Sequence, residues 1–170
     1  GLGVLSLPLM ASQASLNEAL AILLPLLIAI DLVGIRRFWK NANWRILKLI
    51  LPAAFVGMFL GMVFFTVITP KVLTLFVGIF IMLFLIQMLV TSHFDLREAK
   101  PYPWLGRLMG LISGFTSFVA HNGGPPITIF MLREKLLPMV YTSTLGIFFA
   151  FINFGKLGPY AYLDLLNFKQ

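Results

Sequence analysis

The residues most able to do chemistry lie together in the second half of the chain, inside a run that is otherwise apolar. Within the uncharged stretch 108–132 the sequence reads His121-Asn122-Gly123-Gly124-Pro125-Pro126. Two glycines followed by two prolines cannot continue a regular helix, because proline lacks the amide donor and restricts the residue before it. The spacing therefore predicts two half-helices that meet at a break, with a histidine and an asparagine beside it.

Backbone groups freed at such a break need partners, since each unsatisfied group in lipid costs several kcal/mol. One interpretation is a ligand cavity. The second half-helix, starting near Pro126, would direct free amides and a partial positive charge toward an anion, and Gly123 and Gly124 would permit close approach. The other interpretation is a kink that only allows tight helix packing. His121 could donate a hydrogen bond or carry a proton, or it could satisfy a carbonyl freed at the break.

Three further polar residues interrupt apolar runs elsewhere. Asn153 and Lys156 are three residues apart, which places them on one face of a helix. Lys156 could attract an anion or could mark the cytoplasmic end of a span. Asp31 could form a polar pair with Asn153, or it could reach toward the interface and pair with Arg36 or Arg107.

The composition excludes several classes of protein. The chain is 59% hydrophobic and only 11% charged, with a mean hydropathy of +0.95, whereas soluble domains carry about 25% charged residues. It has no cysteine, two histidines and no known catalytic motif, so no metal, cofactor or enzyme is expected. A membrane-embedded enzyme that uses His121 with Asp31 stays an alternative, as does a structural or receptor subunit. The net charge of +7 comes from basic residues between apolar runs, which does not indicate nucleic-acid binding.

The elements that must position these residues are apolar spans. A helix needs about 20 residues to cross a bilayer, and four runs have that length: 17–35, 47–69, 72–91 and 138–157. A short apolar segment, 4–11, follows Gly1 and Gly3 in the same way that the second half-helix follows Gly124. The sequence predicts an all-α integral membrane protein, a polytopic helical bundle with helices broken at glycine and proline motifs. Gly57 and Gly61 are spaced for close helix packing.

Basic residues indicate the orientation. When loops are assigned to alternate sides, ten of the thirteen Lys and Arg residues fall on one side, which should be cytoplasmic. This prediction makes loops 36–48 and 92–103 cytoplasmic and leaves Lys71, Arg133 and Lys135 outside. Aromatic residues at the span ends support the same boundary: Trp39, Trp44, Trp104, Tyr102 and Tyr160.

An internal repeat is visible at an offset of 121 residues. The matching positions are Gly3 with Gly124, Met10 with Met131, Ala29 with Ala150, and Gly34 with Gly155. The pattern predicts a first transmembrane repeat at 1–91 and a second at 104–170, joined by the cytoplasmic loop 92–103. Because the alternation sends 17–35 and 138–157 across the membrane in the same direction, we expect parallel repeats. Many transporters are built from repeats.

Four segments, 1–9, 25–31, 114–126 and 153–160, resemble the sulfite-exporter family of the TauE/SafE type. The resemblance covers almost the whole chain and implies a two-repeat carrier that exports sulfite or organosulfonates. Family patterning would place these residues around the pathway: His121, Gly123, Gly124, Pro125, Pro126, Asn153, Lys156 and Tyr160. The substrate-binding set predicted for this chain also includes Asn122, Thr144, Asp31, Gly1 and Gly3.

This resemblance implies a small anionic substrate, contact with membrane lipid, and a coupling ion that is a proton or sodium. The expected location is the cell membrane, with several passes, in a bacterial inner membrane. Asn122 and Ser143 depart from the family pattern, which has alanine or glycine at the first position and glycine at the second, so the substrate could be another small anion or metabolite. The family usually has a further helix before Gly1 and more chain after Tyr160, so we expect a fragment.

Overall fold

The structure is a computed structural model that describes residues 16–69 and 102–163, together with residues 71, 72, 75, 76, 78, 79, 82 and 86 between them. The two long ranges contain five α-helices and a 3-10 turn, Trp39–Asn41. The helices are α1 (Leu16–Phe38), α2 (Trp44–Val67), α3 (Pro103–Ala120), α4 (Gly124–Arg133) and α5 (Pro138–Tyr162). The predicted half-helix at 4–11, its glycines Gly1 and Gly3, and most of 72–101 lie outside the described residues.

Local sequence explains where these helices begin. The side chain of Asn43 accepts a hydrogen bond from the amide of Ile46 at 3.3 Å and so caps α2. Pro103 and Pro138 begin α3 and α5, where a missing amide hydrogen has no cost. Among the described residues, α2 and α5 have the length and hydropathy of a membrane span.

Helices α2 and α3 run parallel and very close together. A Cβ added to Gly57 would collide with the backbone carbonyl of Leu111, and one added to Gly114 would collide with that of Ala54. Gly61 lies further along the same interface, against Phe118. The prediction that Gly57 and Gly61 serve helix packing is therefore confirmed, and Gly114 supplies the matching surface on α3.

Helix α4 folds back along α3. At one end of the pair, Gly123 lies against Ser113 and Ser117, and at the other end the ring of Phe130 lies against Gly106. We call α3, residues 121–123 and α4 together the re-entrant hairpin, and residues 121–123 its tip. Two half-helices meet at the predicted break, but the second begins at Gly124 and reverses the direction of the chain.

The reversal brings the end of α4 to the same end of the bundle as the connection between α1 and α2. There the amide of Asn43 donates a hydrogen bond of 2.9 Å to the hydroxyl of Thr144 near the start of α5. Burial raises the pKa of the Glu134 carboxyl, and the charge of Arg45 across this surface partly offsets that rise. We call this the basic end, because it carries most of the described Lys and Arg residues.

The prediction that Arg133 and Lys135 lie on the opposite side from loop 36–48 is therefore wrong. The alternation counted the broken run 108–132 as one crossing, whereas the re-entrant hairpin enters and leaves at the same end. Lys71, beyond the end of α2, stays at the far end. Lys156 does not mark an end at all, since it is fully buried.

The same reversal corrects the predicted direction of the repeats. Helices α1 and α5 run antiparallel: Phe38 lies by Gly146, Asp31 bonds to Asn153, and Leu24 shares an apolar cluster with Tyr160. The spans that the offset of 121 residues aligns therefore run in opposite directions, and the prediction of parallel repeats is wrong for this pair.

The predicted aromatic boundary is present at the basic end with one exception. Trp39, Trp104 and Tyr102 are about half exposed there, and Trp39 packs on Trp44 with ring centroids 4.5 Å apart. Tyr160, by contrast, is fully buried against Phe118, so it belongs to the interior.

The close contact between α2 and α3 predicts the effect of one methyl group. We expect Gly114→Ala to lower the free energy of unfolding by about 1–3 kcal/mol, because its Cβ would overlap the backbone of Ala54 and force the helices apart. Gly158→Ala is the matched control, since a Cβ there would meet no atom within 4 Å. Thermal unfolding of both variants in detergent measures the difference, and equal stability would contradict this packing.

Candidate functional site at the tip of the re-entrant hairpin

Helix α3 ends at a backbone conformation that is rare for its residue type. His121 has φ 48° and ψ 24°, in the left-handed region, and its amide still donates to the carbonyl of Ser117 at 3.0 Å. This conformation is uncommon for residues other than glycine and persists only where the surrounding structure holds it. It ends α3 at Ala120.

Side-chain hydroxyl groups bind carbonyl groups at the tip and along α3 beside it. The hydroxyl of Ser113 donates to the carbonyl of Gly123, which ties α3 to the start of α4. Thr116 donates to the carbonyl of Ile112 at 2.8 Å within α3. The Tyr160 hydroxyl donates to the carbonyl of Phe118 at 2.8 Å, one of the last carbonyls of α3 that have no partner within the helix. The tip is thus held by hydrogen bonds from both α3 and α5.

Lys156 places a buried ammonium group directly beside this tip. Its side chain has no exposed surface, and its Nζ lies 3.1 Å from Nδ1 of His121 and 3.2 Å from Oδ1 of Asn153. Because an ammonium group only donates, Nδ1 of His121 must accept here. The hydrogen bond between Lys156 and Asn153 confirms the prediction that these two residues share one helical face.

Asn153 connects the ammonium group to a carboxylate on α1. Its Nδ2 donates to Oδ2 of Asp31 at 2.7 Å, while its Oδ1 accepts from Lys156. The charges fix this orientation of the amide, since a flipped amide would set its oxygen against the carboxylate and its nitrogen against the ammonium group. The predicted polar pair of Asp31 with Asn153 is confirmed, and α1, α5 and the hairpin tip meet in one cluster.

The cluster leaves groups that can bind an anion. An ammonium group has three hydrogens, and the contacts of Lys156 use two of them. Helix α4 begins at the same tip, and its first amides have no helical partner. Pro125 and Pro126 have no amide hydrogen, so Gly124 is the one residue among the first three of α4 that can offer an amide to a ligand.

The two glycines at the break have different surroundings. A Cβ on Gly123 would lie 2.6 Å from the carbonyl oxygen of Ser113 and 2.8 Å from the Cβ of Ser117, so this position is needed for packing against α3. A Cβ on Gly124 would meet no atom within 4 Å. Open space therefore lies beside the amide end of α4, and the close approach predicted for both glycines is available only at Gly124.

The structure brings together most of the predicted binding residues. Asp31, His121, Asn153 and Lys156 form the cluster, and Asn122 to Pro126 form the adjoining tip and the first turn of α4, where both prolines are buried. Thr144 lies apart, about 13 Å before Asn153 along α5, where it accepts from Asn43 and donates to the carbonyl of Val140.

Two residues that position the tip were not assigned that role from the sequence. The signal for Ser113 is its spacing, because serine in an apolar helix four residues before Ser117 indicates a polar stripe facing a partner. Tyr160 was assigned to the membrane boundary and to the pathway. Its contact with Phe118 depends on the hairpin reversal, which the sequence does not reveal.

In the part of the chain that the structure describes, the fold and the cluster define a helical protein with a polar centre buried among apolar helices, two of which have both the length and the hydropathy of membrane spans. The chain belongs to the Sulfite exporter TauE/SafE family, whose sequence model matches residues 1–170, the whole chain. This is a family of membrane transporters. No curated protein and no solved structure matches the chain.

The unequal surroundings of the two glycines predict different effects of the same substitution. We expect Gly123→Ala to lower the thermal midpoint of unfolding, because its methyl group would overlap Ser113 and open the tip. Gly124→Ala should leave the midpoint near that of the wild type, since its methyl group enters open space, but it should weaken anion binding. Thermal unfolding with and without added sulfite measures both effects. Equal destabilisation by the two variants would contradict the different surroundings that the structure gives these two glycines.

Proposed function

We propose that this protein is a secondary transporter that exports small sulfur oxyanions such as sulfite or organosulfonates. It would be a multi-pass protein of the cell membrane, a bacterial inner membrane, with the basic end facing the cytoplasm. The observation that carries the proposal is the fully buried ammonium group of Lys156, held at the tip of the re-entrant hairpin with a hydrogen left to donate.

A charged side chain at this depth supports a functional role. Helix α3 has 18 residues and is about 27 Å long, whereas the 24 residues of α2 beside it extend about 36 Å. The tip at the end of α3 therefore lies within the length of α2 and not at its end. Ionisable groups inside membranes are costly and commonly mark substrate or ion pathways. Lys156 is therefore better explained by binding to an anion than by packing.

The composition of the cluster favours an anion that binds and leaves. Lys156 brings one positive charge and Asp31, reached through Asn153, brings one negative charge, so the ammonium group is partly compensated before a ligand arrives. The amide end of α4 adds a partial positive charge. An oxyanion would accept hydrogen bonds from Lys156 and Gly124. Because Asp31 already compensates part of the positive charge, the anion would still be able to dissociate.

Re-entrant hairpins also suit alternating access. The antiparallel course of α1 and α5 supports an arrangement of inverted repeats, and we propose that Gly1 and Gly3 of the first half bind the substrate together with the tip of the re-entrant hairpin. Substrate sites of many transporters lie where such broken helices meet. His121, which accepts from Lys156, is the candidate carrier if the coupling ion is a proton, and a sodium ion is the alternative.

Transport by the full-length protein in proteoliposomes tests this function. We expect sulfite movement driven by a proton or sodium gradient, and we expect Lys156→Met to lower its rate at least about tenfold, because a charged hydrogen bond to the substrate is lost. Lys135→Met is the matched control, since Lys135 is exposed at the basic end. No movement of sulfite or organosulfonates under any gradient would contradict the function, and normal transport by Lys156→Met would contradict the site.

A double substitution separates transport from stability in the same assay. Lys156→Met alone leaves the Asp31 carboxylate without a cation and should lower the thermal midpoint. Asp31→Asn combined with Lys156→Met removes both charges, so the midpoint should recover while transport stays lost. Recovery of transport in the double variant would show that Lys156 only balances Asp31.

A further inference from the structure

Asn122 is buried at the hairpin tip with neither of its polar atoms in a hydrogen bond. Its side chain is 2% exposed, and both Oδ1 and Nδ2 are without a partner. Five nearby buried polar side chains each form at least one hydrogen bond: Ser113, Thr116, Asn153, Lys156 and Tyr160. Asn122 differs from these five because both of its polar atoms are unpaired.

Turning the amide around does not remove the exception. The oxygen and nitrogen of an asparagine side chain can be exchanged to suit its surroundings, but here both positions are unpaired. Arg133 and Ser143 each leave one atom unpaired, and both lie toward the basic end of α4 and α5. A buried amide without partners costs free energy that a bound ligand can recover.

The position of Asn122 gives it access to the same ligand as the cluster. It follows His121, which contacts Lys156, and it precedes Gly124, whose amide borders open space, by two residues. Because its own polar atoms are buried and unpaired between these two neighbours, we infer that a ligand held by the ammonium group and the start of α4 reaches the amide of Asn122.

The amide chemistry restricts which ligands can satisfy it. The side chain offers hydrogens on Nδ2 and lone pairs on Oδ1. A fully ionised oxyanion has only acceptors, so it can bind Nδ2 but leaves Oδ1 unpaired. An oxyanion with a hydroxyl group on its central atom offers an acceptor and a donor side by side, and it can pair with both atoms of the amide in one ring.

We propose that Asn122 is a specificity-determining residue that selects hydroxyl-bearing oxyanions, such as hydrogen sulfite, over anions that only accept hydrogen bonds. This inference rests on the proposed function and narrows it: of the two substrate types proposed there, the site favours hydrogen sulfite over organosulfonates, whose ionised sulfonate group only accepts hydrogen bonds. Lys156 and Gly124 supply attraction for any small anion, while Asn122 distinguishes the form that carries a hydrogen.

Two probes of equal charge test this selection. Hydrogen sulfite and methanesulfinate are both monoanions with two terminal oxygens on sulfur, and they differ in a hydroxyl group against a methyl group. Binding of each to the purified full-length protein is measured by calorimetry at an acidic pH, where hydrogen sulfite predominates. We expect the wild type to bind hydrogen sulfite about tenfold more tightly, as one hydrogen bond permits.

The variant Asn122→Ala should bind the two probes about equally, because no side-chain amide is left to accept a hydrogen bond from the hydroxyl group. Its thermal midpoint should not fall, since the substitution removes a buried amide without partners. Asn43→Ala is the matched control: it removes the cap of α2 at the basic end and should lower stability but keep the preference.

Each remaining outcome has a definite meaning. Equal binding of the two probes by a wild-type protein that transports sulfite would overturn the selection and leave the transport function standing. A preference that persists in Asn122→Ala would also overturn it, because a group other than this amide would then recognise the hydroxyl. If the folded wild type neither binds nor transports sulfite in any form, the proposed function itself fails.

Discussion

The central constraint in this protein is the burial of the Lys156 ammonium group. A charge without exposed surface needs compensation from nearby groups, and here that compensation comes from three separate elements. Helix α5 provides Asn153, α1 provides Asp31 through the Asn153 amide, and the hairpin tip provides His121. Because each partner lies on a different element, the relative positions of α1, α5 and the re-entrant hairpin are all tied to one nitrogen atom.

The hairpin can meet this constraint only because its backbone stops at the right depth. The left-handed conformation of His121 ends α3, and α4 begins at Gly124, two residues after Asn122, with two prolines following directly. Close packing of α2 against α3, which Gly57 and Gly114 permit, sets the position of the hairpin beside the rest of the bundle. The features that position the tip are thus glycine contacts and carbonyl caps, whereas the features that bind a ligand are the ammonium group, the amide of Asn122 and the amide of Gly124.

Three features of the site can be predicted from the sequence: the break at 121–126, the helical face shared by Asn153 and Lys156, and the pairing of Asp31 with Asn153. These predictions depend on local chemistry and on spacing along one helix. The direction of the chain after the break was predicted wrongly, because a half-helix that crosses and one that turns back have the same residues. For the same reason, Arg133 and Lys135 were predicted on the wrong side and the repeats were predicted to be parallel. The difference between Gly123 and Gly124 could not be predicted either, since it depends on the contact of the tip with Ser113.

The most direct test of this account is the side of the membrane from which Lys135 can be reached. The chain has no cysteine, so single variants Lys40→Cys, Lys71→Cys and Lys135→Cys can be labelled with a membrane-impermeant maleimide in intact cells and in inverted vesicles. The re-entrant hairpin predicts that Lys40→Cys and Lys135→Cys are labelled from the same side and Lys71→Cys from the other. Labelling of Lys135→Cys together with Lys71→Cys would mean that the broken run crosses the membrane, and would contradict the hairpin that carries His121 to Lys156.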